Sequence, residues 1–186
     1  MAGLDKIKFN TYTILFGVLL AFFACKETPK TSDKPFADCK CGSPLPIFKE
    51  GSSEAIVDRN FTMTKISALE NVIFKDGTEL QVIQSGCSEI IQEFTFFYKK
   101  DMSAQNDEFW KTKAVEEFNK ISNLATRYQS FGLWAQAISV ASKDMRLGQP
   151  NELEKDFFVT IDKINDGQKT QLMVKLNAKT CEEVKK

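Results

Sequence analysis

The sequence predicts an α+β fold, with an antiparallel sheet of about six strands and helices packed on one of its faces. Two observations lead to this prediction. Several segments alternate apolar and polar residues with a period of two, as strands with one buried face do. Between residues 106 and 145, apolar residues instead recur at steps of three and four, as they do on the buried side of a helix.

Four strand-like segments follow one another before the helical part of the chain, which predicts a meander of antiparallel strands. In the clearest segment, residues 88–99, the apolar side chains alternate between two faces, and Ile91 and Phe97 lie on the second face. The four segments are residues 59–67, 71–75, 78–84 and 88–99, with a turn signal at Asp76-Gly77.

One or two helices are predicted next. Asn106 or Asp107 is suited to cap the first helix, and Glu108 places a negative charge in its first turn. Gly132 is expected to interrupt the pattern, and a second helical stretch covers residues 133–145. The apolar stripe of the first stretch consists of Trp110, Ala114, Val115, Phe118, Ile121, Ala125 and Tyr128.

The C-terminal part of the chain predicts a hairpin that completes the sheet. Residues 156–164 and 170–176 alternate apolar and polar residues, and a turn signal at residues 165–167 joins them. Residues 152–156 are interpreted as a solvated turn because four of the five are charged. We expect the helices to cover the one apolar face of this sheet, which gives two layers.

The N-terminus has the features of a secretory signal. Lys6 and Lys8 precede an uncharged run of about fifteen residues that ends at Ala24. A membrane-spanning helix needs roughly twenty such residues, so this run is too short for one. A basic head, a short apolar middle and a small residue before the cleavage site are typical of secretory signals.

The residue after Ala24 is Cys25, and this end resembles a bacterial lipoprotein precursor, whose signal is cut before a cysteine that is then acylated. The resemblance covers about 25 of the 186 residues. It departs from the family pattern at Phe22, where Leu, Val or Ile is preferred. The resemblance implies that residues 1–24 are removed and that Cys25 carries lipid. A plain secretory signal and an uncleaved anchor are the alternatives.

The part that follows the signal predicts a tethered domain. Residues 25–35 are rich in Lys, Thr and Pro, which favours a flexible tether, and residues 36–186 have the size of one domain. Several acyl chains on one cysteine hold a protein stably at a membrane. Lys26-Glu27 partly resembles the export signal of surface lipoproteins in some Bacteroidota. We expect a lipid-anchored protein of the bacterial envelope, with the outer membrane favoured and its leaflet and face left open.

The cysteine count fits this compartment. With Cys25 assigned to lipid, four cysteines remain, an even set suited to disulfides outside the cytoplasm. A direct Cys39–Cys41 bond is disfavoured because its ring is too small for a relaxed disulfide. Two pairings remain, and Cys41–Cys87 with Cys39–Cys181 is the first expectation. A zinc site is not expected because the spacing lacks paired C-x₂-C knuckles and the chain has no His.

No catalytic pattern stands out. The absence of His removes the usual general base, no Gly-rich phosphate loop occurs, and Glu116-Glu117 and Glu182-Glu183 are typical of solvated faces. We therefore predict a protein that is not an enzyme and that binds no cofactor or metal. The chain has 25 basic and 25 acidic residues and no basic patch, so nucleic acid is not an expected partner.

The second face of the 88–99 strand is the candidate interaction surface. If Ile91 and Phe97 were uncovered there, they would form an apolar patch of the kind that marks binding sites. The segment from Phe36 to Phe48, pinned by Cys41–Cys87, is instead expected to cover them.

The predicted function is therefore a non-enzymatic binding or accessory domain on a lipid anchor, which binds an envelope protein through an exposed loop or sheet edge. A carrier of a small apolar ligand between sheet and helices is the alternative, and a His-free hydrolase built on a Ser–Lys pair is a third. The oligomeric state is left open.

Overall fold

The computed structural model describes residue 36 and residues 39–165 and 170–179. Seven strands and two α-helices make up this part of the chain. In chain order they are β1 (Ile56–Met63), β2 (Ser67–Phe74), β3 (Glu79–Ser85), β4 (Ile90–Phe97), α1 (Asp107–Ser122), α2 (Gln129–Ala141), β5 (Asn151–Glu154), β6 (Phe157–Asn165) and β7 (Thr170–Ala178). Within the described residues, no helix combines the length and apolar character of a membrane span.

All seven strands form one antiparallel sheet in the order β1-β2-β3-β4-β7-β6-β5. The predicted α+β class with an antiparallel sheet is confirmed, but the sheet has seven strands rather than six. The extra strand is β5, in the stretch that sequence interpretation assigns to a turn. Its run Asn-Glu-Leu-Glu carries too little apolar character to predict a strand, and it forms by pairing with β6 after a turn at Asp156, whose φ is 64°.

A side chain caps the start of α1, whereas α2 begins without a side-chain cap. Asn106 caps α1, because its side chain accepts a hydrogen bond of 2.9 Å from the Phe109 N–H. The predicted break at Gly132 is wrong, since α2 runs through this residue. A Cβ at Gly132 would lie only 2.7 Å from Ser122 Oγ. Glycine is therefore needed there for the close approach of the two helices, and it does not end either of them.

The core lies between one face of the sheet and the two helices. Phe94 in the middle of β4 makes edge contacts with Phe118 of α1 and Phe131 of α2, with ring centroids 5.4 and 5.6 Å apart. The largest side chains of this layer are fully buried, among them Trp110, Phe74, Phe96, Leu80, Ile121, Ile138, Ile161 and Leu172. Aromatic edge contacts of this kind add to the stability that burial of the rings gives.

The segment of residues 45–48 completes this layer on the helix side of the sheet. Phe48 is fully buried against Phe74, Tyr128 and Phe131. The expectation that the Phe36–Phe48 segment covers the opposite face is therefore wrong for its last part, Ile47 and Phe48. Phe48 packs on the helix side because Phe74 of β2, Tyr128 and Phe131 of α2 together form an apolar site there.

The antiparallel meander gives the sheet two distinct ends. The turn between β1 and β2 and the loop between β3 and β4 lie at one end, which we call the Cys87 end. The turn between β2 and β3, at Asp76-Gly77, lies at the other, which we call the Gly77 end. Two ion pairs fix α1 near the Gly77 end. Lys120 pairs with Asp76 at 2.6 Å, and Lys163 pairs with Asp107 at 3.6 Å.

Candidate functional site

The cysteines pair differently from the first expectation. Cys39 is bonded to Cys87, so the expected Cys41–Cys87 and Cys39–Cys181 bonds are both wrong. A tight turn, in which the Gly42 N–H donates to the Cys39 carbonyl, brings the Cys39 and Cys87 Cα atoms within 4.5 Å. Cys41 instead meets Cys87 through its main chain, donating its N–H to the Cys87 carbonyl at 3.2 Å.

Cys41 is itself disulfide-bonded. Cys25 and Cys181 lie outside the described residues, so the expected lipidation and the remaining half of the pairing stay predictions. The Cys39–Cys87 bond closes a sequence separation of 48 residues. In the chain-entropy model, a loop of that length stabilises the fold by roughly 4 kcal/mol.

The predicted interaction residues Ile91 and Phe97 both lie on the sheet face opposite the helices, but they do not meet. Six residues along one strand separate them by about 20 Å. Ile91 stands between Ser85 and Asn177 in the sheet register, at the Cys87 end. Phe97 stands opposite Glu79, at the Gly77 end. Both side chains are half-buried, and they belong to two separate apolar groups.

A row of residues that are polar apart from Met173 separates these two groups across the middle of the open face. Ile83 and Leu69 extend the group of Ile91, and Ile73 extends the group of Phe97 across Glu79. The row between them consists of Asn60, Asn71, Gln81, Thr95, Met173 and Asp162. The face therefore does not present the continuous apolar patch that an uncovered Ile91 and Phe97 suggest.

The two edges of the sheet differ in length and protection. The β5 edge has four residues, two of them glutamates, and its pairing with β6 contains an irregularity. A short, acidic and irregular strand is how natural sheets protect an edge. The β1 edge has eight residues, among them the exposed Val57 and Met63, and within the described residues it pairs with β2 alone. Its pairing is irregular only near its start, between Ile56 and Asp58, and is regular from Asp58 to Met63.

The main-chain groups that β1 presents outward follow from its turn. The Thr64 N–H donates to the Ser67 carbonyl at 2.7 Å, so these two residues form a hydrogen-bonded pair. Bonded and non-bonded pairs alternate along an antiparallel ladder. The N–H and carbonyl groups of Met63 and Phe61 and the Arg59 carbonyl therefore face away from β2, toward a potential further strand. The Arg59 N–H already donates to Asp58 Oδ1 at 2.7 Å.

A buried carboxylate holds β1, β2 and the 45–48 segment together beside this edge. Glu70 Oε1 lies 2.6 Å from Arg59 Nε, and the same carboxylate accepts the N–H groups of Ile47 and Phe48 at 2.8 and 3.2 Å. Its side chain is fully buried. A buried carboxylate is tolerated when it is paired and hydrogen-bonded in this way.

A cavity of about 210 Å³ opens between the 45–48 segment, the start of α2 and β4. Its polar groups are largely used within the protein. Gln92 Nε2 donates to Gln84 Oε1, and the Tyr128 hydroxyl bonds to Ser52 Oγ and accepts the Lys49 N–H. Pockets for drug-sized ligands measure roughly 300–1,000 Å³, so this one is small. It is lined by Ile47, Gln92, Arg127, Tyr128, Ser130, Phe131 and Trp134.

A buried ionic cluster joins α1 to the Gly77 end. Glu117 pairs with Lys113 at 3.1 Å and with Lys120 at 3.7 Å, and the Lys113 ammonium lies 5.4 Å from the ring centre of Tyr98. Burial and the negative charge of Glu117 raise the pKa of Tyr98 well above its usual value. Burial lowers the pKa of Lys113, but the negative charges of Glu117 and Glu116 raise it by more than burial lowers it, so the net shift is upward.

These shifts describe a cluster suited to holding elements together. A tyrosine or lysine that acts as a base or nucleophile needs a lowered pKa, and here both are raised. The Tyr98 hydroxyl and Glu117 Oε2 are buried without a hydrogen-bond partner in the part of the chain that is described.

Over the same residues, no group of three or more Cys, Asp or Glu side chains is placed to hold a metal ion.

Comparison with known proteins yields no relative. No protein-family model matches the chain, and neither a curated protein nor a solved structure matches it. The candidate surfaces therefore have to be judged by their own geometry. Sequence reasoning missed the β1 edge and the cavity, because both depend on which strand lies outermost and on where Phe48 packs.

Proposed function

We propose that the chain is a lipid-anchored protein of the bacterial envelope whose α+β domain binds another protein by accepting a strand at the β1 edge. The domain acts as a binding or accessory module and catalyses no reaction. The single observation that carries this proposal is the contrast between the short, acidic β5 edge and the long β1 edge, which has outward main-chain groups at Phe61 and Met63 and an outward carbonyl at Arg59.

Strand addition suits this edge for two reasons. Main-chain hydrogen bonds supply affinity in this mode of recognition, and side chains that alternate along the edge supply specificity. The ion pair between Arg59 of β1 and Glu70 of β2 links these two strands, and the N–H groups of Ile47 and Phe48 hold the Glu70 carboxylate in place, so the edge is preorganised for a partner.

The anchor and the absence of catalysis draw support from the sequence and from the buried cluster. Lys6, Lys8, the apolar run and Cys25 together resemble a lipoprotein precursor. The chain contains no His, and the raised pKa values of Tyr98 and Lys113 leave these groups unsuited to acid–base work at neutral pH.

The packing of the core disfavours the carrier alternative. A carrier would need space between sheet and helices, where Phe94, Phe118 and Phe131 instead meet at centroid distances of 5.4 to 5.6 Å. The cavity beside Gln92 is small, and its Tyr128 hydroxyl is already hydrogen-bonded within the protein. Protein binding at the edge therefore fits the geometry better.

A proline at Met63 tests the proposal. Met63→Pro removes one outward N–H but none of the bonds between β1 and β2, because this N–H faces away from β2. We expect it to abolish capture of the partner from detergent-solubilised envelope, as measured by quantitative mass spectrometry of pull-downs. Met63→Ala is the matched control, since it trims the same side chain and keeps the N–H.

The proposal requires that the two variants differ. Proteins that both variants capture equally do not bind through main-chain pairing at this edge. Melting temperatures of both variants close to that of the native protein establish that the fold is kept. A pull-down with the native chain that recovers no specific protein would contradict the proposal.

A further inference from the structure

We infer that the Cys87 end of the sheet rests on the phospholipid bilayer to which the chain is anchored. This inference depends on the proposed lipid anchor at Cys25, and it adds a defined contact surface and orientation to it. Three observations at the same end of the molecule carry it: the place where the chain joins the sheet, the apolar side chains exposed beside it, and the charges around them.

The chain joins the folded domain at this end. Cys39 is bonded to Cys87 in the loop between β3 and β4, and the Cys41 N–H donates to the carbonyl of the same residue. Thirteen residues lie between Cys25 and Cys39, and the fourteen Cα–Cα steps that join the two cysteines span at most about 50 Å when fully extended. The Cys87 end is therefore the end of the sheet that the chain reaches first from the anchor.

Exposed apolar side chains gather at this end. Ile66, at the tip of the turn between β1 and β2, is 78% exposed, and Leu45 is 74% exposed. The Leu45 carbonyl accepts a hydrogen bond from the Nε2 of Gln84, which is one residue before the end of β3. This bond places the loop that carries Leu45 at the same end of the sheet as the turn between β1 and β2. Met63, next to the same turn, is 38% exposed.

A bilayer is an occupant that fits these features. Isolated apolar side chains on loop tips insert to the depth of the headgroups and upper acyl chains, as they do on interfacial helices. The turn between β5 and β6 and the end of β7 also lie at this end, because Ile90 pairs with Ala178 and Ala178 with Phe157. The charged residues of segments 39–45, 63–67, 85–90, 154–157 and 178–179 are Lys40, Lys65, Lys155 and Lys179 against Glu89, Glu154 and Asp156, an excess of one positive charge that suits anionic headgroups. Because the lipid holds the domain at the surface, even weak insertion of these side chains selects one orientation.

Tryptophan fluorescence tests the contact. The mature chain is attached to vesicles of phosphatidylethanolamine and phosphatidylglycerol, some with brominated acyl chains that quench tryptophan. Attachment uses the native lipid or, where Cys25 carries none, a maleimide phospholipid coupled to that cysteine. We expect the emission added by Ile66→Trp or Leu45→Trp to fall by about half in brominated vesicles. Val140→Trp, at a site 80% exposed on α2, is the matched control and is expected to keep its emission.

Each outcome bears on the inference. Quenching at positions 66 and 45 without quenching at 140 supports it. Equal quenching at all three positions, or none at 66 and 45 in vesicle-bound protein, overturns it. A photo-crosslinker at position 66 that captures a protein in cells instead of phospholipid also overturns it. An unlipidated Cys25 in cells contradicts the proposed anchor and the bilayer contact that depends on it, whereas absent quenching in the coupled protein overturns the contact alone.

Discussion

At the residue scale, Glu70 holds together parts of the chain that are distant in sequence. Its carboxylate faces the Arg59 guanidinium and the N–H groups of Ile47 and Phe48 in a fully buried position. Removing one partner of a buried ion pair leaves the other charge without compensation. The loss is therefore larger than the pair itself would contribute.

We expect Glu70→Ala to lower the free energy of unfolding by about 3–5 kcal/mol, measured by urea denaturation. Glu79→Ala, at an exposed position on the neighbouring strand β3, is the control and is expected to change it by no more than about 0.5 kcal/mol. Similar losses in the two variants would show that the Glu70 contacts contribute little.

Asp76 links the turn between β2 and β3 to α1, and its charge depends on pH. Burial raises the pKa of this carboxyl, but hydrogen bonds from Lys120 and Thr78 lower it more, to about 2 from an ordinary value of 3.8. The stability that this group contributes is present above pH 3.8 and is lost as the pH falls toward 2. The direction of this loss is opposite to that for a group with a raised pKa.

We expect Asp76→Asn to lower the unfolding free energy at pH 5 and to flatten its decline between pH 4 and pH 2, as followed by urea denaturation across that range. Lys120→Gln removes the main hydrogen-bond partner and is expected to produce the same flattening. A native-like pH profile in both variants would contradict the role of this pair.

At the element scale, the contact between α1 and α2 depends on a missing side chain. A Cβ on Gly132 would lie 2.7 Å from Ser122 Oγ and 3.4 Å from Ser122 Cβ. We expect Gly132→Ala to cost about 1–3 kcal/mol of unfolding free energy because it overpacks this contact. The cost is expected to shrink in a Ser122→Ala background, where the close oxygen is absent and alanine favours the helix. The measurement is a double-mutant cycle by thermal unfolding. An equal cost of Gly132→Ala with and without Ser122→Ala would contradict this prediction.

The elements that sequence reasoning predicts well are those whose local pattern and tertiary role agree. β4 alternates with a period of two and lies in the middle of the sheet, and α1 has both its stripe and its Asn106 cap. β5 and Gly132 were missed because pairing with β6 and contact with Ser122 decide them, and neither partner is near in sequence. Phe48 packs on the helix side for the same kind of reason.

At the scale of the whole molecule, the candidate surfaces are consequences of strand order. The period of two places Ile91 and Phe97 on the open face, but only the register shows that they are about 20 Å apart. Whether β1 or β3 is outermost cannot be read from either strand, because an edge is defined by the neighbour that is missing. The β1 edge therefore emerges from topology, whereas the anchor is predicted from residues 1–25 alone.

The cysteines connect the anchor to the fold and allow one decisive measurement. Cys39 is bonded to Cys87, and Cys41 is also disulfide-bonded, so Cys25 and Cys181 are the remaining candidates for the partner of Cys41. If Cys25 carries lipid, it cannot form a disulfide, and Cys41 must pair with Cys181. Whether Cys25 carries lipid therefore decides which cysteine pairs with Cys41.

We expect mass spectrometry of the membrane-extracted protein to show an acylated N-terminal peptide that begins at Cys25. We also expect non-reducing peptide mapping to recover a Cys41–Cys181 link beside Cys39–Cys87. Cys181→Ser then leaves one free thiol, detectable by alkylation, while Cys25→Ser leaves none and releases the protein from the membrane fraction. A Cys41–Cys25 link would remove both the lipid and its bilayer contact, and the domain would have to reach its partner as a secreted protein.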